Sequence, residues 1–135
     1  MAYTWSKNLD TGNMMIDTQH KQLIQAINDL LEACSKGKGR DELKKTVDFL
    51  LQYTLKHFGD EEKLQQSTGY PDYPNHRKLH AEFTQAVRDL SKELEEKGSS
   101  IVMVGKINSA VGDWLIRHIQ KEDVKVAKHV QDYKK

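Results

Sequence analysis

The chain has a single cysteine, only two prolines and no long apolar run, and its charges nearly cancel. One thiol, Cys34, can neither close an internal disulfide nor build a thiolate metal site. Cys34 continues an apolar helical face, which suits a small buried hydrophobe, and no neighbouring histidine would activate it as a nucleophile. With 21 basic against 20 acidic residues, the chain carries no electrostatic footprint for nucleic acid or an anionic membrane surface. Its one basic run, Lys36-Gly37-Lys38-Gly39-Arg40, is interleaved with glycine and reads as a solvated turn rather than a phosphate cradle. Met1 to Asp10 lacks the apolar stretch of a signal peptide, and no segment approaches the length of a membrane span. A soluble, cytoplasmic protein with no membrane insertion is expected. Strict apolar–polar alternation and an Asn-Gly hairpin signal are also missing, which argues against strands.

What is present is helical periodicity. The 135 residues suffice for one domain with a proper core and are too few for two, so a single domain over 1–135 is expected. A first helix from about Asp17 to Ser35 carries Leu23, Ile24, Ile27, Leu30, Leu31 and Cys34 in three-and-four steps, with Asp17 or Thr18 suited to its N-cap. The spacing predicts a second helix from about Asp41 to Ser67, before Thr68-Gly69-Tyr70-Pro71. A third begins near Pro74 and ends at Lys97-Gly98, and a fourth opens at Ser99 or Ser100 and runs at least to Ile119. Short connections imply antiparallel neighbours, hence an all-α, up-down-up-down four-helix bundle. Residues 1 to about 16, with Tyr3, Trp5 and Leu9, read as an arm packed on the bundle. Val124, Val126, Ala127 and Val130 suggest a short C-terminal helix.

Histidines and carboxylates interrupt these apolar stripes in phase. On the second helix the stripe Leu43, Val47, Leu50, Thr54, His57, Glu61, Leu64 steps by four and three throughout. The third helix gives His76, His80, Phe83, Val87, Leu90 and Leu94; the first places His20 in phase with Leu23 and Ile24. On the fourth, His118 follows Val104, Ile107, Val111 and Trp114. Residues four apart lie about 40° apart around a helix and one turn along it, so His57 with Glu61, and His76 with His80, can aim at one place. Lys44, Lys45, Lys56, Lys63, Lys78 and Arg88 fall on other faces, so the histidines do not read as members of a wet surface. A lone core histidine is usually a packing matter, but burying Glu61 and Asp123 without a cation costs several kcal/mol per ion, roughly. Bound cations remove that conflict. Without thiolates the set disfavours structural zinc and iron–sulfur sites, and an imidazole-rich set suits iron, copper, nickel or zinc. Seven ligands are too many for one tetrahedral ion and suggest two metals bridged by carboxylates. Asp123 stands five residues after His118, about 140° away on a regular helix, so the helix must end, bend or wind differently near Gln120–Glu122. His129 lies beyond the set in a lysine-rich tail and reads as solvated or partly packed.

The ordered spacings His57-x-x-x-Glu61, His76-x-x-x-His80 and His118-x-x-x-x-Asp123, with Ile16-Asp17-x-Gln19-His20 ahead of them, resemble the hemerythrin family, in its single-domain bacterial form. The resemblance covers nearly the whole chain. It implies two iron ions, one held by His76, His80 and His118 and the other by His20 and His57. Glu61, Asp123 and an oxo or hydroxo group would bridge them. On that division the three-histidine iron is coordinatively full, whereas the two-histidine iron keeps one open position for dioxygen. Phe58, Trp114, Leu115 and Ile119 would line the oxygen pocket, besides packing in the core. The implied function is reversible dioxygen binding for storage, transport or delivery to an oxygen-consuming enzyme, and not catalysis. The alternatives are an oxygen or redox sensor acting through a separate signalling partner, and a di-iron oxidase or a peroxide- or nitric oxide-handling protein. Ferritin-like oxidases use Glu-x-x-His pairs, and none occurs here.

Overall fold

The three-and-four spacing of apolar residues is buried as four helical runs in the computed structural model, which describes residues 3–37 and 40–133. Helix α1 spans Met14–Ser35, α2 Arg40–Ser67 and α3 Tyr73–Lys97. The fourth run, residues 101–133, is helical throughout but departs from α winding twice. Ile101–Lys106, Asp113–His118 and Val124–Tyr133 are α-helical, while Ile107–Gly112 and Ile119–Asp123 are π-wound. α1 packs on α2 and α2 on α3, and the first π-wound segment touches both α1 and α3, which completes the antiparallel bundle. The expected short C-terminal helix is Val124–Tyr133, and it continues the fourth run through the second π segment without a break.

The helix ends follow local chemistry, with one correction. α1 is capped neither by Asp17 nor by Thr18 but by Asn13, whose side-chain oxygen accepts from the Ile16 N–H at 3.0 Å. Asp17 is engaged elsewhere. Its carboxylate accepts from Thr11 N–H (3.0 Å), Thr11 Oγ1 (2.7 Å) and Gly12 N–H (3.3 Å), tying the arm to the first turn. Ser100 caps the fourth run by accepting from Met103 N–H at 3.1 Å. Pro74 occupies the first turn of α3, where its missing N–H costs nothing, and Gly98 ends that helix at φ +72°. Of the glycine-spaced basic run, Lys36 and Gly37 form the expected turn after α1, and Lys38 and Gly39 lie outside the described residues.

Two hydrophobic clusters divide the interior. The larger runs from Leu9 through Leu23, Leu50, Phe83 and Val111 to Leu115 and Ile119; the smaller joins Ile16, Val126, Ala127 and Val130, with Leu64 and Tyr70 against it. His20 lies between Ile16 and Leu23, Glu61 between Phe58 and Leu64, and Asp123 between Ile119 and Val126. The polar groups therefore sit at the seam of the two clusters, closed off on both sides. Cys34 is buried among the larger cluster, as its spacing predicts. The arm closes over the larger cluster through Leu9, Trp5 and Tyr3. Tyr3 lies on Gly112, where a Cβ would come within 2.2 Å of the tyrosine oxygen, so glycine is what admits the ring. Its hydroxyl donates to Asp113 Oδ1 at 2.9 Å. Among the described residues no helix is long and apolar enough to cross a membrane.

Candidate metal centre

The seven side chains singled out by spacing converge. His20, His57, Glu61 and Asp123 are completely buried, and His76, His80 and His118 are nearly so. Their ligand atoms form two groups that share both carboxylates: Glu61, His76, His80, His118 and Asp123 on one side, and His20, His57, Glu61 and Asp123 on the other. Each carboxylate faces both ways. Glu61 turns Oε1 to His76 Nε2 (2.7 Å) and His80 Nε2 (3.6 Å), and Oε2 to His57 Nε2 (3.3 Å). Asp123 turns Oδ1 to His76 Nε2 (3.1 Å) and His118 Nε2 (3.1 Å), and Oδ2 to His20 Nε2 (2.7 Å). The π winding over Ile119–Asp123 is what carries Asp123 back to the face of His118.

Hydrogen bonds among these groups cannot satisfy them. His76 Nε2 holds at most one proton, yet it lies near Glu61, Asp123 and, at 3.2 Å, His118 Nε2. His20 Nε2, His57 Nε2, His80 Nε2, Glu61 Oε2 and both oxygens of Asp123 are buried in close N···O contacts of which none has the direction of a hydrogen bond. So many orphaned donors and acceptors at one point are costly unless a cation takes their lone pairs. The donor set, five imidazoles and two carboxylates, fits a pair of imidazole-preferring transition-metal ions.

Outer partners aim two of the rings. Gln19 Nε2 donates to Asp60 Oδ2 (2.9 Å), which fixes its amide so that Oε1 accepts from His57 Nδ1 (2.7 Å). His80 Nδ1 likewise donates to Glu62 Oε2 at 3.0 Å. With Nδ1 carrying the proton, Nε2 of each ring presents a lone pair to the centre. Gln65, fully buried, donates to Glu61 Oε1 at 3.4 Å. Spacing assigned no role to Gln65, Glu62 or Asp60. Their one sequence trace is adjacency: Glu62 and Asp60 flank Glu61, and Gln65 follows it by one helical turn.

The electrostatics carry a test. Burial and the charge of Asp123 push the Glu61 carboxyl up, but His57, His76 and His80 pull it down to about 2. Asp123 is held well below the usual range, against its burial, chiefly by His118. Burial pushes His76 down, but the carboxylates of Asp123 and Glu61 outweigh it and raise it to about 9; Glu61 and Glu62 similarly raise His80. The metal-free centre therefore holds protons at neutral pH that a cation must displace. Metal uptake at pH 7 should release at least one proton per chain, and affinity should climb by roughly tenfold per pH unit for each proton displaced, levelling off above pH 9. Calorimetry of metal binding in buffers of different ionisation enthalpy measures the proton count. A count of zero would mean that His76 carries no extra proton in the metal-free centre or stays outside the ligand set.

The four residues expected at an oxygen pocket divide. Leu115 and Ile119 are completely buried beside His118. Phe58 stacks on His80 (3.7 Å between centroids, 1° between planes) and Trp114 on His118 (4.6 Å, 12°), so both aromatic rings brace the three-histidine side. A surface cavity of about 240 Å³ reaches His118 between Leu79, Trp114, Arg117, Lys121 and Glu122. His129 stands apart, half-buried, donating from Nε2 to the Thr68 carbonyl at 2.7 Å beside Tyr70.

Comparison with known proteins agrees with this arrangement. The hemerythrin HHE cation binding domain matches residues 11–130. A bacteriohemerythrin of Pseudomonas aeruginosa is 31% identical over 119 residues, spanning 88% of this chain and 75% of its own. A myohemerythrin of Sipunculus nudus is 32% identical over 124 residues, spanning 91% and 89%. The crystal structure of a wild-type hemerythrin superposes with a TM-score of 0.83 at 28% identity, covering 96% of this chain and 98% of that one. A bundle whose four helical runs each deliver histidines or carboxylates to one buried point, matched over nearly its whole length by these relatives, belongs to the hemerythrin family.

Proposed function

We propose that the protein binds dioxygen reversibly at a pair of non-haem iron ions. His76, His80 and His118 would hold one ion and His20 and His57 the other, with Glu61 and Asp123 spanning both. The observation that carries this reading is the pair of two-faced carboxylates, each offering one oxygen to the three-histidine group and one to the two-histidine group. When bound, the iron pair supplies the two electrons and the open coordination position that reversible oxygen binding needs.

The chain supplies the rest. Three histidines on one side against two on the other make the centre asymmetric, which leaves room for an added ligand on the side of His20 and His57. Leu115 and Ile119, both fully buried, would keep water and proton donors from the centre, together with Phe58, whose ring lies between those of His80 (3.7 Å between centroids) and His57 (5.7 Å). Exclusion of water favours release of oxygen over its further reduction. Gln19 and Glu62 hold His57 and His80 in the tautomer that presents Nε2, so the ligand set is arranged before any ion arrives. The reading is of a carrier rather than an enzyme.

The test is optical. Iron-loaded protein, reduced without air, should gain visible charge-transfer bands when oxygen is admitted and lose them when oxygen is removed. One-way oxidation accompanied by turnover would favour an oxidase or redox sensor, and one zinc ion per chain in a metal assay would overturn the centre.

A further inference from the structure

The buried polar atoms without a hydrogen-bond partner among the described residues belong to the seven converging side chains and to Gln65, which donates to Glu61, with two exceptions: Asn108 Nδ2 and Thr54 Oγ1. Asn108 is only partly buried, and its amide oxygen already meets the Tyr3 hydroxyl at 3.2 Å. Thr54 is 0% exposed. A helical threonine commonly settles its hydroxyl on the carbonyl four residues back. Thr46 does so on Glu42 (2.9 Å), Thr68 on Leu64 (2.8 Å) and Thr84 on His80 (2.8 Å). Thr54 does not, and a buried hydroxyl left unpaired costs about 1–3 kcal/mol. Valine would fill the same space at no such cost.

The position of Thr54 gives the hydroxyl a use. It lies three residues before His57 on the same buried stripe of α2, so their side chains are neighbours. Helical side chains lean toward the N-terminus, which inclines the His57 ring over the turn that carries Thr54. Counting three residues from each converging histidine in the direction that antiparallel packing requires gives Leu23 after His20, Phe83 after His80 and Leu115 before His118 as the counterparts of Thr54. All three are at most 1% exposed. Thr54 thus adds one unpaired hydroxyl to three apolar counterparts, and it stands on α2, which supplies His57 to the two-histidine side.

We propose that Thr54 is a ligand-binding residue, its hydroxyl the hydrogen-bond donor to the small molecule that binds at the ion held by His20 and His57. This rests on the di-iron reading. The ligand class it selects is a small diatomic or triatomic species with an electron-rich terminal atom, because Leu23, Phe83 and Leu115 offer no donor beside it. The hydroxyl stays unpaired in the ligand-free fold so that it can be satisfied on binding.

Azide is the probe. In oxidised, iron-loaded protein, Thr54→Val should weaken azide binding roughly ten- to a hundredfold, the value of one hydrogen bond to a charged group, and Thr54→Ser should stay within about threefold of wild type. In metal-free protein, Thr54→Val should melt at or above the wild-type temperature, since it removes an unpaired hydroxyl and little else. Equal azide affinity in wild type and Thr54→Val would overturn the proposal. So would an equal loss in the serine and valine variants, which would assign the effect to packing, or a lower melting temperature of the metal-free valine variant, which would mean that the hydroxyl bonds within the core. If wild-type protein holding two irons per chain bound no azide at all, the di-iron reading itself would fail and this one with it.

Discussion

Stripping the metal from the protein should lower its melting temperature by at least roughly 10–20 °C, the contribution of a single ion. Two completely buried carboxylates and five nearly or completely buried histidines meet at the seam between two hydrophobic clusters. Without a cation their attraction is limited to shared protons, and His20 Nε2, His57 Nε2 and both Asp123 oxygens make close contacts that are not directed as hydrogen bonds. An ion that binds only the folded state adds about 4 kcal/mol when it is present at a thousand times its dissociation constant. For a chain of this size 1 kcal/mol moves the melting temperature by roughly 3–5 °C. The fold should survive the loss, because the larger cluster, from Leu23 and Leu50 to Val111, is built independently of the centre. The measurement is a thermal melt of iron-loaded protein beside the same protein after reduction and chelation. Coincident curves would mean that protonated His76 already compensates the carboxylates without a cation.

Much of this centre is legible in the sequence, for a definite reason. A helix has one buried face, so the four-and-three stepping from Leu43 to Glu61 fixes what His57 and Glu61 face without any knowledge of partners. The five-residue step from His118 to Asp123 is legible as a violation: no regular helix brings both to one face, and the π winding over Ile119–Asp123 resolves it. The first π segment, Ile107–Gly112, leaves no comparable trace, since no ligand pair spans it to expose the change of winding. Its sign is Gly112, and the reason for that glycine, the Tyr3 ring, lies far away in the chain. The hydrogen-bonding roles of Gln19 and Glu62 are hidden for a related reason. A polar residue beside a ligand is also what a solvated helix face would carry, and their hydrogen bonds reach 38 and 18 residues along the chain. The start of α1 is hidden too, because Asp17 is a good capping residue that is engaged by Thr11 and Gly12 instead.

Asp123→Asn should abolish the two-metal centre. Asp123 is completely buried, with Oδ1 3.1 Å from both His76 and His118 and Oδ2 2.7 Å from His20. Asparagine keeps the shape but replaces one oxygen with an NH₂ group, which has no lone pair to offer a metal, and removes a negative charge. Whichever way the amide turns, one of the two ions loses a ligand. The ion on the side of His20 and His57 has only Glu61 besides those histidines and should be lost first. Losing an outer-shell partner typically costs ten- to a hundredfold in metal affinity, so losing a direct ligand should cost at least about a hundredfold for that ion. Iron per chain should fall from two to one or fewer, and the oxygen-dependent spectrum should vanish with it. Metal analysis after gel filtration, read beside the far-ultraviolet circular dichroism of the same sample, separates loss of the centre from loss of the fold. Two tightly held irons in folded Asp123→Asn would show that Asp123 does not bridge. The π winding that delivers it would then need another cause, because on a regular helix this side chain would point away from the ions it is proposed to join.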